Sequence, residues 1–204
     1  MLEKYCSQEE YKGWDPYDGL NSKFFKGLPL LKKSDLARLA WIQLFKRNPV
    51  NLRRLFLVPK GYNPKGIALL ISGYCNLFRH QALNGKNQPG SGHELLQIIH
   101  NLANRLISLR SAKCRHGSAW GYNFDWQARR LFLFPEGTPT VVVTSFCASA
   151  LFDAYEVTGR EEYLSVALST ADFVMNDLQR TKKENGFLFS YSPLNGNNTV
   201  YNAS

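Results

Sequence analysis

Two apolar stripes separated by Thr158-Gly159 constrain this chain more than any other feature. Val143, Phe146, Cys147, Ala150, Leu151 and Ala154 recur at the interval that places them on one face of a helix. Leu164, Ala167, Leu168, Ala171, Val174 and Leu178 repeat the pattern after the break. Thr138, followed by Pro139, reads as the N-cap of the first helix, and Glu161 and Glu162 complement the dipole of the second. Two such rods bury both stripes by lying antiparallel, and Ala167 and Ala171 permit close approach. The expected class is therefore all-α.

The same signals recur upstream. Ser34 is a predicted N-cap for a helix whose face is Leu36, Ala40 and Leu44, with Trp41 and Phe45 beside it, ending at Pro49. After a short apolar piece at 52–58, Pro64 suits a first helical turn, and Ile67, Leu70, Ile71, Tyr74, Cys75 and Phe78 follow the helical period. A Gly/Asn/Pro-rich break at 84–90 precedes Ser91 and Glu94, which form a Ser-x-x-Glu capping box. Leu95, Ile98, Ile99, Leu102, Leu106 and Leu109 then carry a long stripe. His93 and His100 on that helix lack the i,i+4 spacing of a zinc pair and read as structural. Residues 187–193 look extended and 195–198 look like a turn, which adds a short β segment near the C-terminus.

With 204 residues, 44% of them hydrophobic, the chain is expected to form a single domain, 1–204, with a real core rather than a disordered segment. A net charge of +9 favours an anionic partner, yet Lys32-Lys33, Arg53-Arg54, Arg129-Arg130 and Lys182-Lys183 are isolated doublets, so no nucleic-acid arm is expected. Cys6, Cys75, Cys114 and Cys147 show no C-x-x-C spacing, and two lie on apolar helix faces, as buried reduced thiols do. Residues 1–11 do not resemble a signal peptide, and no uninterrupted apolar segment reaches span length. No membrane span and a cytoplasmic location are the expectation.

Residues 115–127 concentrate Trp120, Trp126, Tyr122, Phe124, His116 and Asp125 between helix-like segments. Aromatic faces beside hydrogen-bonding groups suit a sugar ring, and the alternative is that the rings anchor a long loop to the core. A second aromatic-carboxylate stretch holds Trp14, Asp15, Tyr17 and Asp18 around Pro16, where the carboxylates either face a ligand or bind local backbone as Asx-turns. Asp125 lies between two aromatic residues, surroundings that raise a carboxyl pKa, so it is the expected acid/base group with Asp18 as partner. His116 is a candidate proton carrier and Tyr191 a candidate phenolic acid. Trp14, Tyr17, Trp120, Tyr122 and Trp126 are expected stacking walls, while Asp15, Gln127 and Asn202 offer hydrogen bonds to hydroxyls. No cofactor or metal site is expected.

The runs at 13–20, 120–127, 138–144 and 189–193, continuing to Asn202-Ala203, resemble a family of bacterial alpha/alpha-toroid proteins found with polysaccharide biosynthesis. Members often carry the label delta-aminolevulinic acid dehydratase, a class whose beta/alpha barrel this pattern does not fit. The resemblance covers nearly the whole chain and implies antiparallel hairpins forming the N-terminal portion of a six-hairpin glycosidase-like toroid, roughly half its length. It implies a carbohydrate-active or glycan-binding protein, with acid/base chemistry on a uronate-type sugar as its reaction if active: a hydrolase, lyase or epimerase. An incomplete toroid would expose apolar faces that drive self-association or capture of a second chain. Alternatives from other classes are a non-catalytic scaffold completed by that second chain and a zinc-dependent toroid enzyme using Cys114 and His116.

Overall fold

The computed structural model describes residues 2–84, 91–128, 132–195 and 202–203, with the side chains of 2, 84, 91, 202 and 203 left aside. Helices take about 56% of the described residues, which makes the chain mostly α. Its contacts gather into two compact units, residues Met1–Asn63 with Tyr122–Thr138, and residues Pro64–Gly121 with Pro139–Ser204. Beyond Asn84 the expected break, beyond Asn195 the expected turn, and the Arg129-Arg130 doublet lie outside the described residues, as does the Ser91 side chain of the capping box.

In the first unit, α1 (Leu2–Gln8) precedes a 3-10 turn, Asp18–Asn21, then α2 (Lys23–Lys26), α3 (Pro29–Lys33) and α4 (Asp35–Arg47). Ser34 caps α4 as expected, its hydroxyl accepting from Ala37 N at 3.3 Å. The buried face of α4 differs from the expected one. Ile42 is buried with Leu20 and Phe25 beside Trp41, and Phe45 is buried against the Trp41 ring, whereas Leu36 and Leu44 are exposed. The rings of Phe24, Phe25, Phe45 and Phe56 surround the Trp41 indole at 5.2–6.1 Å, and this aromatic packing rotates the helix away from its leucine stripe. The second segment of this unit adds an unexpected two-stranded antiparallel ladder, β1 (Trp126–Gln127) with β2 (Leu133–Phe134).

The second unit is built from α5 (Pro64–Asn84), α6 (Ser91–Ser108), α7 (Val141–Thr158), α8 (Glu161–Leu168) and α9 (Thr170–Asn176). α5 packs on α6 and α7, and α7 on α8. Ile67, Ile71 and Cys75 meet this core from α5, Ile99 and Leu106 from α6, and Cys147 and Leu151 from α7. These are positions the helical period selects, but Phe146 is turned outward under Lys65 Nζ, 4.3 Å from its ring. Among the described residues only α7 is long and apolar enough to cross a membrane. Asp153 and Glu156 interrupt it, and Asp153 accepts from Ser72 at 2.7 Å and from Arg79 at 3.0 Å on α5, which are ties of a core helix.

Two boundaries depart from expectation. The N-cap of α7 is Thr140, whose Oγ1 accepts from Val143 N, because Pro139 is held extended in a bridge with Gly121 and Thr140 N donates to Trp120 O at 3.0 Å. The single helix expected over 161–178 is broken at Ser169 into α8 and α9, leaving Leu168 and Ala171 exposed. There Ser169 O accepts from Ser118 N, and a Cβ on Gly117 would lie 1.9 Å from that oxygen, so only glycine fits beside the break. His100 is half-buried with Nδ1 2.9 Å from Tyr163 Oη, while His93 is exposed. The C-terminal β segment is a three-stranded antiparallel sheet, β3 (Arg180–Lys183), β4 (Gly186–Ser190) and β5 (Asn202–Ala203), in the order β3-β4-β5.

The capping geometry separates the two threonines by experiment. Thr140→Ala is expected to lower stability by about 1–2 kcal/mol in urea unfolding, the loss of an N-cap. Thr138→Val should change it little or raise it, since the buried Thr138 hydroxyl has no hydrogen-bond partner among the described residues.

Candidate functional site

Of the twelve residues expected at a site, eight fall in the first unit and four in the second. In the first unit, Pro16 turns the chain so that the Asp15 and Asp18 carboxylates close on backbone N–H groups of the turn. Asp15 Oδ1 accepts from Tyr17 N at 2.9 Å and Asp18 Oδ2 from Asp15 N at 2.9 Å, the Asx-type bonding considered for this stretch. Two residues not anticipated complete the network. Arg53 donates through Nε to Asp18 Oδ1 at 2.9 Å and through Nη2 to Asp15 O at 2.8 Å, and Asn63 Nδ2 donates to Asp15 Oδ2 at 3.0 Å. Burial raises the Asp18 pKa above 3.8, with the Arg53 charge and the Asp15 N–H pulling the other way.

Beside this network opens a cleft of about 310 Å³ whose walls include Trp14, Asp15, Lys46, Asn48, Asn51 and Arg53. Trp14 is fixed by its indole N–H, which donates to Val58 O at 3.0 Å, and Lys60 Nζ sits 4.8 Å from its ring centroid. Lys46 Nζ stands 4.3 Å from the Tyr17 ring and donates to its hydroxyl. The cleft therefore combines a held indole, two side-chain amides and two cations.

The other expected residues of this unit form a second group. Trp126 stacks on Phe134 at 5.0 Å and meets Tyr17 and Tyr122 edge-on, each at 6.4 Å, while packing against the Leu20, Phe25 and Ile42 core. Gln127 is 1% exposed, too deep to meet a solvent-borne ligand, and its Oε1 accepts from Arg38 Nε at 2.7 Å. Asp125 is half-buried and its Oδ1 accepts from Glu136 N at 2.7 Å, joining the residue before β1 to the chain that follows β2.

In the second unit Trp120 is 0% exposed, leaving neither ring face open for stacking; its indole N–H donates to Leu106 O at 2.7 Å. Tyr191 is half-buried and its carbonyl accepts from Val141 N at 3.0 Å. The Asn202 backbone pairs with Ser190 across β4 and β5. His116 is exposed, and its Nδ1 lies 2.5 Å from Oδ1 of Asp177, a residue the sequence reading did not single out. Asp177 Oδ2 accepts from Arg115 N at 2.8 Å. Burial alone would raise the Asp177 pKa, but the Arg115 N–H and His116 outweigh it and hold the carboxyl below 3.8. This is the arrangement by which a carboxylate orients an imidazole.

Cys114 is engaged locally. Its thiol donates to His116 O at 3.1 Å, and burial, aided by the Asp177 charge, pushes its pKa up to about 11, which opposes the thiolate that zinc requires. Among the described residues no group of three His, Cys, Asp or Glu stands close enough to hold a metal ion.

Two measurements test these networks. Arg53→Ala should cost about 3 kcal/mol at neutral pH, because it strands a buried carboxylate. The loss should shrink in acid, since Asp18 then has its pKa raised further and becomes neutral on protonation. For Asp177, whose folded pKa is depressed, the stabilisation is fully present above 3.8 and lost as pH falls through the lower folded value. Urea midpoints of Asp177→Asn should accordingly lie below the native protein's at neutral pH and converge on them in strong acid. The chain matches no protein-family model, no curated protein and no solved structure, so the functional reading rests on its own residues.

Proposed function

We propose that this chain binds an anionic saccharide of the uronate type at the cleft of its first unit, as part of an alpha/alpha toroid acting in bacterial polysaccharide biosynthesis or modification. The observation that carries the reading is the cleft's composition. Trp14 supplies an aromatic face, Asn48 and Asn51 supply donors and acceptors for hydroxyls, and the exposed Lys46 supplies charge for a carboxylate. The mostly helical chain, with α5 packed on α6 and α7 and with α7 on α8, supports the toroid part of the proposal.

Binding is favoured over turnover. Asp18, the carboxylate with the raised pKa, is 4% exposed and held by Arg53, and Asp125 is engaged by the Glu136 backbone. A general acid must reach the glycosidic oxygen, whereas Asp18 is used to brace the turn beside the cleft and Asp125 to bond the backbone that follows β2.

The test is titration with uronic-acid oligosaccharides followed by tryptophan fluorescence. The native protein should show a saturable change, weaker for neutral oligosaccharides of the same length. Trp14→Ala should bind about tenfold more weakly, the loss of one stacking face. A native protein that does not respond to any uronate overturns the reading.

A further inference from the structure

Positive charge is concentrated rather than spread. Residues 23–60 hold ten of the 25 lysines and arginines and one of the 16 acidic residues, Asp35, so this stretch alone carries a net charge equal to the whole chain's +9. Asp35 itself is paired with Arg38. Lys23, Lys26, Lys32, Lys33, Arg47 and Arg54 are all exposed.

Large aliphatic side chains are exposed among them. Leu30 is 85% exposed, Leu55 73% and Leu36 68%. Leu36, Ala40 and Leu44, spaced for one helix face, point out of α4 because Ile42 and Phe45 occupy its buried side. The pieces are joined. α3 packs on α4, Phe24 stacks on Trp41 of α4 and meets Phe56 edge-on at 5.6 Å, and Lys23 N donates to Leu57 O at 3.3 Å. Leu57 keeps a φ of 55°, a backbone conformation costly for a side chain of its bulk.

From this combination we infer that the α2–α4 face of the first unit docks on a membrane surface rich in anionic phospholipid. Lysines and arginines beside protruding leucines match both parts of such a surface, the phosphate headgroups and the acyl boundary just beneath them. A nucleic acid or soluble glycan would use the cations but has nothing to bury Leu30, Leu36 and Leu55 against. The inference is independent of the saccharide cleft, whose Trp14 and Asn48 it does not use.

Co-sedimentation with vesicles tests it. The native protein should bind vesicles of phosphatidylcholine mixed with phosphatidylglycerol, and bind phosphatidylcholine alone far more weakly. Lys32→Gln with Lys33→Gln should weaken binding to the mixed vesicles by about thirtyfold, from the loss of two charges at an anionic leaflet, and flatten its salt dependence. Leu30→Ser with Leu36→Ser should weaken it by about tenfold or more while keeping the salt dependence. Both pairs are exposed, so circular dichroism should be unchanged, and the lysine pair should keep its response to uronate. Failure of the native protein to bind the mixed vesicles, equal binding to both compositions, or binding of single-stranded RNA that the vesicles do not displace would each overturn the inference. Should a variant unfold, the vesicle-composition series on the native protein decides.

Discussion

The second unit depends on Trp120. Its backbone N–H donates to Thr144 Oγ1 at 3.1 Å, its carbonyl accepts from Thr140 N at 3.0 Å, and its indole N–H donates to Leu106 O at 2.7 Å. One residue thereby ties the end of α6, through its indole, to the start of α7, through its backbone, with each of these polar groups satisfied at complete burial. That combination is what a buried indole requires, since an unpaired N–H in a core is costly. It also sets the α7 boundary, because the strand-like pairing of Gly121 with Pro139 keeps the proline extended and passes the cap to Thr140.

The first unit is held by a different economy of forces. Arg53, with side-chain exposure of 11%, meets an Asp18 side chain of 5%, and the same guanidinium reaches the Asp15 carbonyl. An ion pair this buried is stable only when its remaining hydrogen-bonding capacity is met, and here the Asp15 N–H takes the second carboxylate oxygen. The consequence for function is direct. Carboxylates that read as chemistry in the sequence serve as struts, and the open side of the turn they brace carries Trp14 and the amides and cations of the cleft. The Trp41 aromatic cluster has a parallel effect on α4, burying Ile42 and Phe45 and so presenting leucines among lysines.

How much of the candidate site was legible follows from the range of the interactions that make it. Trp14 and Asp15 are recognisable because aromatic and acidic residues crowd a Pro turn within a few positions. Arg53 and Asn63 are not, lying 35 and 48 residues from their acidic partners, and Arg53 looked like half of a surface doublet. Asp177 reaches His116 across 61 residues with no local motif to flag it. Trp120 and Trp126 look alike in sequence, two aromatics in one loop, yet the first is sealed in a core and the second is half-buried in a ring cluster.

The sequence by itself determined α4, α5, α6 and α7, their approximate ends and which face of α5, α6 and α7 is buried, because those follow from a 3.6-residue period and local capping chemistry that need no distant partner. It also determined that Gly159 ends α7, since the left-handed φ of 68° found there suits glycine. Only the tertiary structure decided which face of α4 turns outward, where the chain breaks at Ser169, and which carboxylates are bound by arginine or histidine. Those outcomes depend on the size and polarity of whatever packs opposite, and residues far apart in sequence acquire that neighbour only when the chain folds.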